Sequence, residues 1–285
     1  MSVMTAQDLF ERFRQGLVTR LVAESRRAAA FIERHITAIL SGWVILTVLF
    51  GGLKLALLIA AHPRIARADL LASLVGSYLS IAAAPIVAFA LVNRAFPKGQ
   101  SATQPAVRLC RFGQWESVSA TEARQRPNFG MSGLLVSLVG GLMLSVSMRA
   151  FEYFVAMPAV PDMAPGWAVA MFRITTFDLV LFSFLYSVCI AMALRAAPLF
   201  PRMLCYTWFC DLLMQIAIAR YTNGAGGLPA EVAVALQPYL LMNLKKILIS
   251  VVIWLPYLVV SRRINLTFRQ RVKANEAPRL RAHFG

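Results

Sequence analysis

Trp167–Leu194 reads WAVAMFRITTFDLVLFSFLYSVCIAMAL, 28 residues in which Arg173 and Asp178 are the only charges. A helix of that length rises about 42 Å, more than the roughly 30 Å hydrocarbon core that about 20 apolar residues cross. Five further apolar runs bounded by charge, proline or glycine follow the same rule: Ile36–Ala61, Leu70–Val92, Gly130–Met148, Met203–Arg220 and Tyr239–Val260. The pattern predicts an all-α, polytopic integral membrane protein with about six transmembrane helices. Composition agrees, because a 285-residue chain with 59% hydrophobic and 15% charged residues is too apolar for a water-soluble enzyme.

The runs divide the chain into a basic amphipathic tail (1–35), a two-helix segment (36–93), a basic loop (94–129), a four-helix unit (130–261) and a basic C-terminal tail (262–285). The first run begins too late for a cleavable signal peptide and is expected to be retained. Six spans put both ends of the chain on one side. Those tails, the basic loop and the turn at 195–202 hold 21 of the 29 lysines and arginines. The other side holds four, Arg64, Arg67, Arg149 and Arg220, and four more lie within the runs. The positive-inside rule therefore predicts cytoplasmic termini. It also accounts for the net charge of +16 through insertion and anionic headgroups, so nucleic acid is not an expected partner.

Phe10, Phe13, Leu17 and Leu21 recur at helical spacing among Arg12, Arg14, Arg20, Arg26 and Arg27, which reads either as an interfacial helix or as a solvated or partner-bound one. Leu109, Phe112 and Trp115 among Arg108 and Arg111 repeat the theme weakly. On the third run Gly133, Ser137, Gly141 and Ser145 form a strip of small residues that predicts close helix packing, within the chain or with a second copy.

Charges at membrane depth are costly unless they pair or snorkel. Lys54, Arg173, Asp178, Asp211, Lys245 and Lys246 lie inside the runs. The cations sit nearer the run ends. The two aspartates sit mid-run, so each is expected to pair with Arg173, Lys245 or Lys246 on a neighbouring helix. Arg149 and Glu152, three apart at the end of the third run, read as a local interfacial ion pair. Tyr239, Asn243, Lys246, Ser250 and Tyr257 form a polar stripe on the sixth run. It is expected to face a hydrogen-bonded bundle core or, alternatively, a polar cavity for an ion, lipid headgroup or small solute.

Cys110, Cys189, Cys205 and Cys210 show no C-x-x-C spacing, and His35, His62 and His283 do not share a membrane depth. Neither a metal, a haem nor another cofactor is expected.

The last run and its exit, Trp254–Phe268, read WLPYLVVSRRINLTF. This resembles the closing signature of a bacterial inner-membrane family, domain of unknown function 2569, written W-x-P-Y-x-x-x-S-x-R-V-x-x-T-F. Trp254, Pro256, Tyr257, Ser261, Arg263, Thr267 and Phe268 match it, and Ile264 replaces the valine. A looser similarity through the run ending at Leu194, the Arg195–Pro201 turn and Asp211 extends the resemblance over Gly130–Arg271. It implies a bacterial inner-membrane location and carries no activity with it. As a membrane exit the signature makes physical sense, with aromatic side chains at the interface, a bend at Pro256, and Arg262 and Arg263 among headgroups.

No nucleophile with its base and no D-D-x-x-D or H-x-x-x-D pattern occurs. The chain reads as a noncatalytic inner-membrane protein, accessory, assembly-related or envelope-associated, whose partners are the lipid bilayer with its anionic headgroups and a membrane protein or second copy. A transporter or channel using the intramembrane charges is the alternative, and a lipid-modifying membrane enzyme the third reading.

Overall fold

The computed structural model describes residues 6–63, 68–98, 103–106, 113–224 and 229–274. The side chains of Phe10, Arg12, Phe13, Arg14 and Leu17, and the whole of Arg64, Arg67, Arg108–Phe112 and His283, lie outside the described residues.

Eight helices and one short ribbon make up the described chain: α1 (Ala6–Ala61), α2 (Ala68–Ala95), β1 (Trp115–Ser117), α3 (Ala120–Gln125), α4 (Leu134–Ala156), α5 (Gly166–Leu194), α6 (Phe200–Gly224), α7 (Ala230–Val260), α8 (Arg262–Arg269) and β2 (Arg271–Lys273). Five of the helices, α1 through its Ile36–Ala61 part, α2, α4, α5 and α7, are long and apolar enough to cross a membrane. The protein is thus an all-α, polytopic membrane protein in architecture. The expected fifth run corresponds to α6, which at 25 residues is long enough but less apolar, since it carries Arg202, Asp211, Gln215 and Arg220.

α5 is the centre of the bundle and packs against α2, α4 and α6. Its sequence has no polar stripe, as expected of a helix with neighbours on most sides, and Ser187–Ala193 is buried without a break. α1 lies on α2, and α7 on α6. Phe182, Leu138, Leu142, Cys189, Leu204, Trp208 and Leu258 fill the half of the bundle nearer the ribbon, here called the base.

Where α1 meets α2, one helix repairs the other. Pro85 inside α2 has no N–H to offer the carbonyl of Ile81 one turn earlier. Trp43 of α1 donates its indole N–H to that oxygen at 3.1 Å. Trp43→Phe is therefore expected to cost about 1–3 kcal/mol by leaving the carbonyl unpaired. In a Pro85→Ala background, where the backbone N–H gained restores the helical bond, the same substitution should cost clearly less. Thermal melting of the four proteins in detergent checks this, and equal costs in both backgrounds would remove the idea.

Of the two readings of the tail, as interfacial or as solvated or partner-bound, α1 fits the second. The helix is unbroken from Ala6 to Ala61, so residues 6–35 continue the axis of the first span for about 45 Å instead of lying in the membrane plane. Ser25 accepts the N–H of Gly133 at 2.7 Å, and Arg26 donates to the Pro127 carbonyl.

The loop and C-terminal tail also differ from their reading as plain basic segments. β1 and β2 pair antiparallel, with Trp115 opposite Lys273 and Ser117 opposite Arg271. Together with α3 and α8 they form a small folded base. α8 buries Ile264 through Phe268. Phe268 packs on Phe200 with ring centroids 4.8 Å apart, Thr267 Oγ1 accepts the Gly130 N–H at 3.0 Å, and Asn265 Nδ2 donates to the carbonyls of Val259 and Ser261. Arg263, expected among headgroups, instead donates to Ser132 Oγ. Burial draws its pKa down from the ordinary arginine value. The Trp254–Phe268 signature is accordingly the joint between α7 and the base.

Candidate functional site: a charged recess between α4 and α7

α4 and α7 are held by α5 and α6 behind them and leave between them a recess of about 390 Å³. Its floor is ionic. Arg149 Nη2 donates to both oxygens of Asp211 at 2.8 and 2.9 Å, and Arg149 Nη1 lies 3.6 Å from Asp178 Oδ2. Tyr186 donates its hydroxyl to Asp211 at 2.8 Å, and Gln215 donates to Asp178 at 3.1 Å. The guanidinium also stands over the Phe182 ring, 4.9 Å from its centroid. One cation thus serves two carboxylates, and neutral hydrogen-bond donors on their far sides, Tyr186 and Gln215, help hold the remaining negative charge.

A second pair lies nearer the opening, where Lys246 Nζ of α7 meets Glu152 Oε1 of α4 at 2.5 Å. Their side chains are 47% and 18% exposed, against 13% for Arg149 and 1% for Asp211. Asn243 and Ser250 of α7 and Gly141 and Ser145 of α4 complete the polar walls.

The expected pairings are corrected on three counts. Asp178 and Asp211 share Arg149, not Arg173, Lys245 or Lys246. Arg149 and Glu152 are not a local pair, because each turns to a different partner. Arg173 binds Asp162 at 2.9 Å in an exposed position. The first two errors come from helix ends: α4 continues seven residues, about 10 Å, beyond Arg149, and α7 begins at Ala230, which moves Lys246 to mid-helix. Lys245 is exposed and does not line the recess. Lys54 donates to the carbonyl of Met157, the residue that caps the end of α4.

The small-residue strip does not pack within the chain. α4 packs inward through Leu135, Leu138, Val139, Leu142 and Val146, whereas Ser137, Gly141 and Ser145 are exposed. A side chain at Gly141 would meet nothing within 4 Å, and Gly133 caps the helix at φ 59°. Of the polar stripe on α7, Asn243, Lys246 and Ser250 line the recess, the second of the two surroundings expected for them. Tyr257 lies at the other end of the helix, edge-on to Trp254 with ring centroids 5.9 Å apart.

On the other face of the α6–α7 pair lies a cavity of about 240 Å³ lined by Gln215, Thr222 and Gln237 among leucines. Gln215 therefore touches both this cavity and the ion cluster. Among the described residues no group of three or more histidine, cysteine, aspartate or glutamate side chains is placed to hold a metal ion.

No family model, curated protein or solved structure matches the chain.

Proposed function

We propose that the chain is a noncatalytic multi-pass protein of the bacterial cytoplasmic membrane, with both termini in the cytoplasm, that holds a polar or charged group inside the bilayer in the recess between α4 and α7. The observation that carries this reading is the recess itself: four charged side chains, Asp211 and Lys246 at mid-helix and Arg149 and Glu152 in the last third of α4, converge on one open space. Charges at membrane depth mark functional sites by default. Each already faces an opposite charge, so none stands free as a general base beside a nucleophile. An accessory or assembly role fits such a site, since a partner's polar group is bound without being transformed. The sorting of arginine and lysine supports cytoplasmic termini, and the more so because Arg149, counted on the sparse side, belongs within the bundle. The likeness of Trp254–Phe268 to the uncharacterised bacterial family supports the location.

A carrier is the second reading. It is favoured by Gln215, which joins the ion cluster to the cavity between α6 and α7. Against it stands the apolar base half, where Leu138, Leu204 and Leu258 are fully packed.

Substituted-cysteine labelling tests both, in a background with the native cysteines replaced. Asn243→Cys is expected to react with a small aqueous thiol reagent while Leu204→Cys does not. An unreactive Asn243→Cys would count against a working recess, and a reactive Leu204→Cys would favour the carrier. Reporter fusions to the two ends are expected to report the cytoplasm from both.

A further inference from the structure

We infer that the recess binds a zwitterionic membrane lipid whose headgroup carries a primary ammonium and a phosphate; this rests on the ligand-holding reading above. Its walls carry two cations, Arg149 and Lys246, and two anions, Glu152 and Asp211, which sum to zero. An anionic guest would meet Lys246 but leave Glu152 without a partner, and a cationic guest would leave Lys246 without one, where the dielectric is low and Coulomb energies are large. A zwitterion offers every wall charge an opposite one. Asp178, held behind Arg149 by Gln215, adds negative charge to the cluster and disfavours an anionic headgroup further.

Lys246–Glu152 is the pair placed to exchange partners, because it bridges the two helices nearer the opening and is the more exposed. In the complex the phosphate oxygens accept from Lys246 and the ammonium donates to Glu152, two charge-assisted hydrogen bonds in place of one. The rim suits acyl chains, since Leu144 and Met148 of α4 and Ile249 of α7 line the opening with exposed apolar side chains. A volume of about 390 Å³ lies within the range of about 300–1,000 Å³ usual for small-ligand sites.

The test is thermal melting of the full-length, delipidated protein in maltoside detergent. It is titrated with phosphatidylethanolamine, phosphatidylcholine and phosphatidylglycerol of the same acyl chains, and with water-soluble glycerophosphoethanolamine. Half-saturation is expected at a concentration at least tenfold lower for phosphatidylethanolamine than for the other lipids. Phosphatidylcholine has no ammonium N–H for Glu152, phosphatidylglycerol has no cation, and the soluble headgroup, lacking chains, should produce no shift. Equal or stronger stabilisation by phosphatidylcholine or phosphatidylglycerol would overturn the headgroup assignment. A response to the soluble headgroup matching that to its lipid would overturn the lipid as source.

The double substitution Glu152→Gln, Lys246→Gln keeps side-chain size and should abolish the preference; if the preference survives, the site is wrong. Gly141→Leu gives a second variant that leaves both ion pairs untouched, fills the recess from an open position and should abolish the shift. Undiminished binding by that protein would also overturn the proposal. Labelling of Asn243→Cys separates the two ideas. A reactive recess with no lipid preference ends only this inference, whereas an unreactive one ends the reading beneath it.

Discussion

Arg149→Met is expected to be the most damaging single substitution in the bundle, lowering stability by about 3–5 kcal/mol, because removing one partner leaves uncompensated charge in a buried site. Two carboxylates, Asp211 and Asp178, lose their common cation at once. Asp211→Asn should cost less, since Arg149 keeps Asp178 and the amide still accepts from Tyr186. The double variant Arg149→Met, Asp211→Asn is expected to recover about 0.5–3 kcal/mol relative to the sum of the single losses, the usual coupling for contacting residues. Thermal melting in detergent reads all four proteins. An Arg149→Met protein that accumulates and melts like its parent would mean the cluster does not hold the helices together.

Phe268→Ala comes next, at about 3–5 kcal/mol, the usual loss for deleting a fully buried aromatic ring. Phe268 and Phe200 are both completely buried, so the cavity left behind opens between α8 and α6. Phe268→Leu keeps most of the volume and should cost about 1.5 kcal/mol or less. The damage is expected to fall first on the base, because α8 joins the membrane bundle to the β1–β2 ribbon. Limited trypsin digestion should therefore cut the Arg269–Lys273 segment sooner in Phe268→Ala than in the parent. Identical digestion rates would show that α8 is held by its other bonds.

The spans were legible because a bilayer imposes length and apolarity on any helix that crosses it, and Trp167–Leu194 meets both demands. Asp178, Asp211, Asn243 and Lys246 were legible as polar groups at membrane depth for the same reason. Arg149, which organises the site, was missed because a charge near the end of an apolar run looks like the end of the helix. Nothing in the local pattern distinguishes an arginine that terminates α4 from one that turns inward to two aspartates on other helices. The strip Ser137–Ser145 carried a true signal, small side chains on one face, but small residues line an open wall as readily as a tight contact. The ribbon could not be read, because three-residue strands have no periodicity and Trp115–Ser117 finds its partner more than 150 residues away. The continuity of α1 was hidden by its charge, which separates a polar from an apolar half without interrupting the hydrogen bonds between them.

That continuity has a mechanical meaning. A stiff rod about 45 Å long, gripped near its fulcrum by Ser25 and Arg26, is a lever. Its short arm bears on the turn at residues 127–133, from which α4 springs, and α4 carries Arg149 and Glu152 at its other end. The same turn is held from the other side by Thr267 and Arg263 of α8, so the rod and both walls of the recess, α4 directly and α7 through α8, meet at one joint.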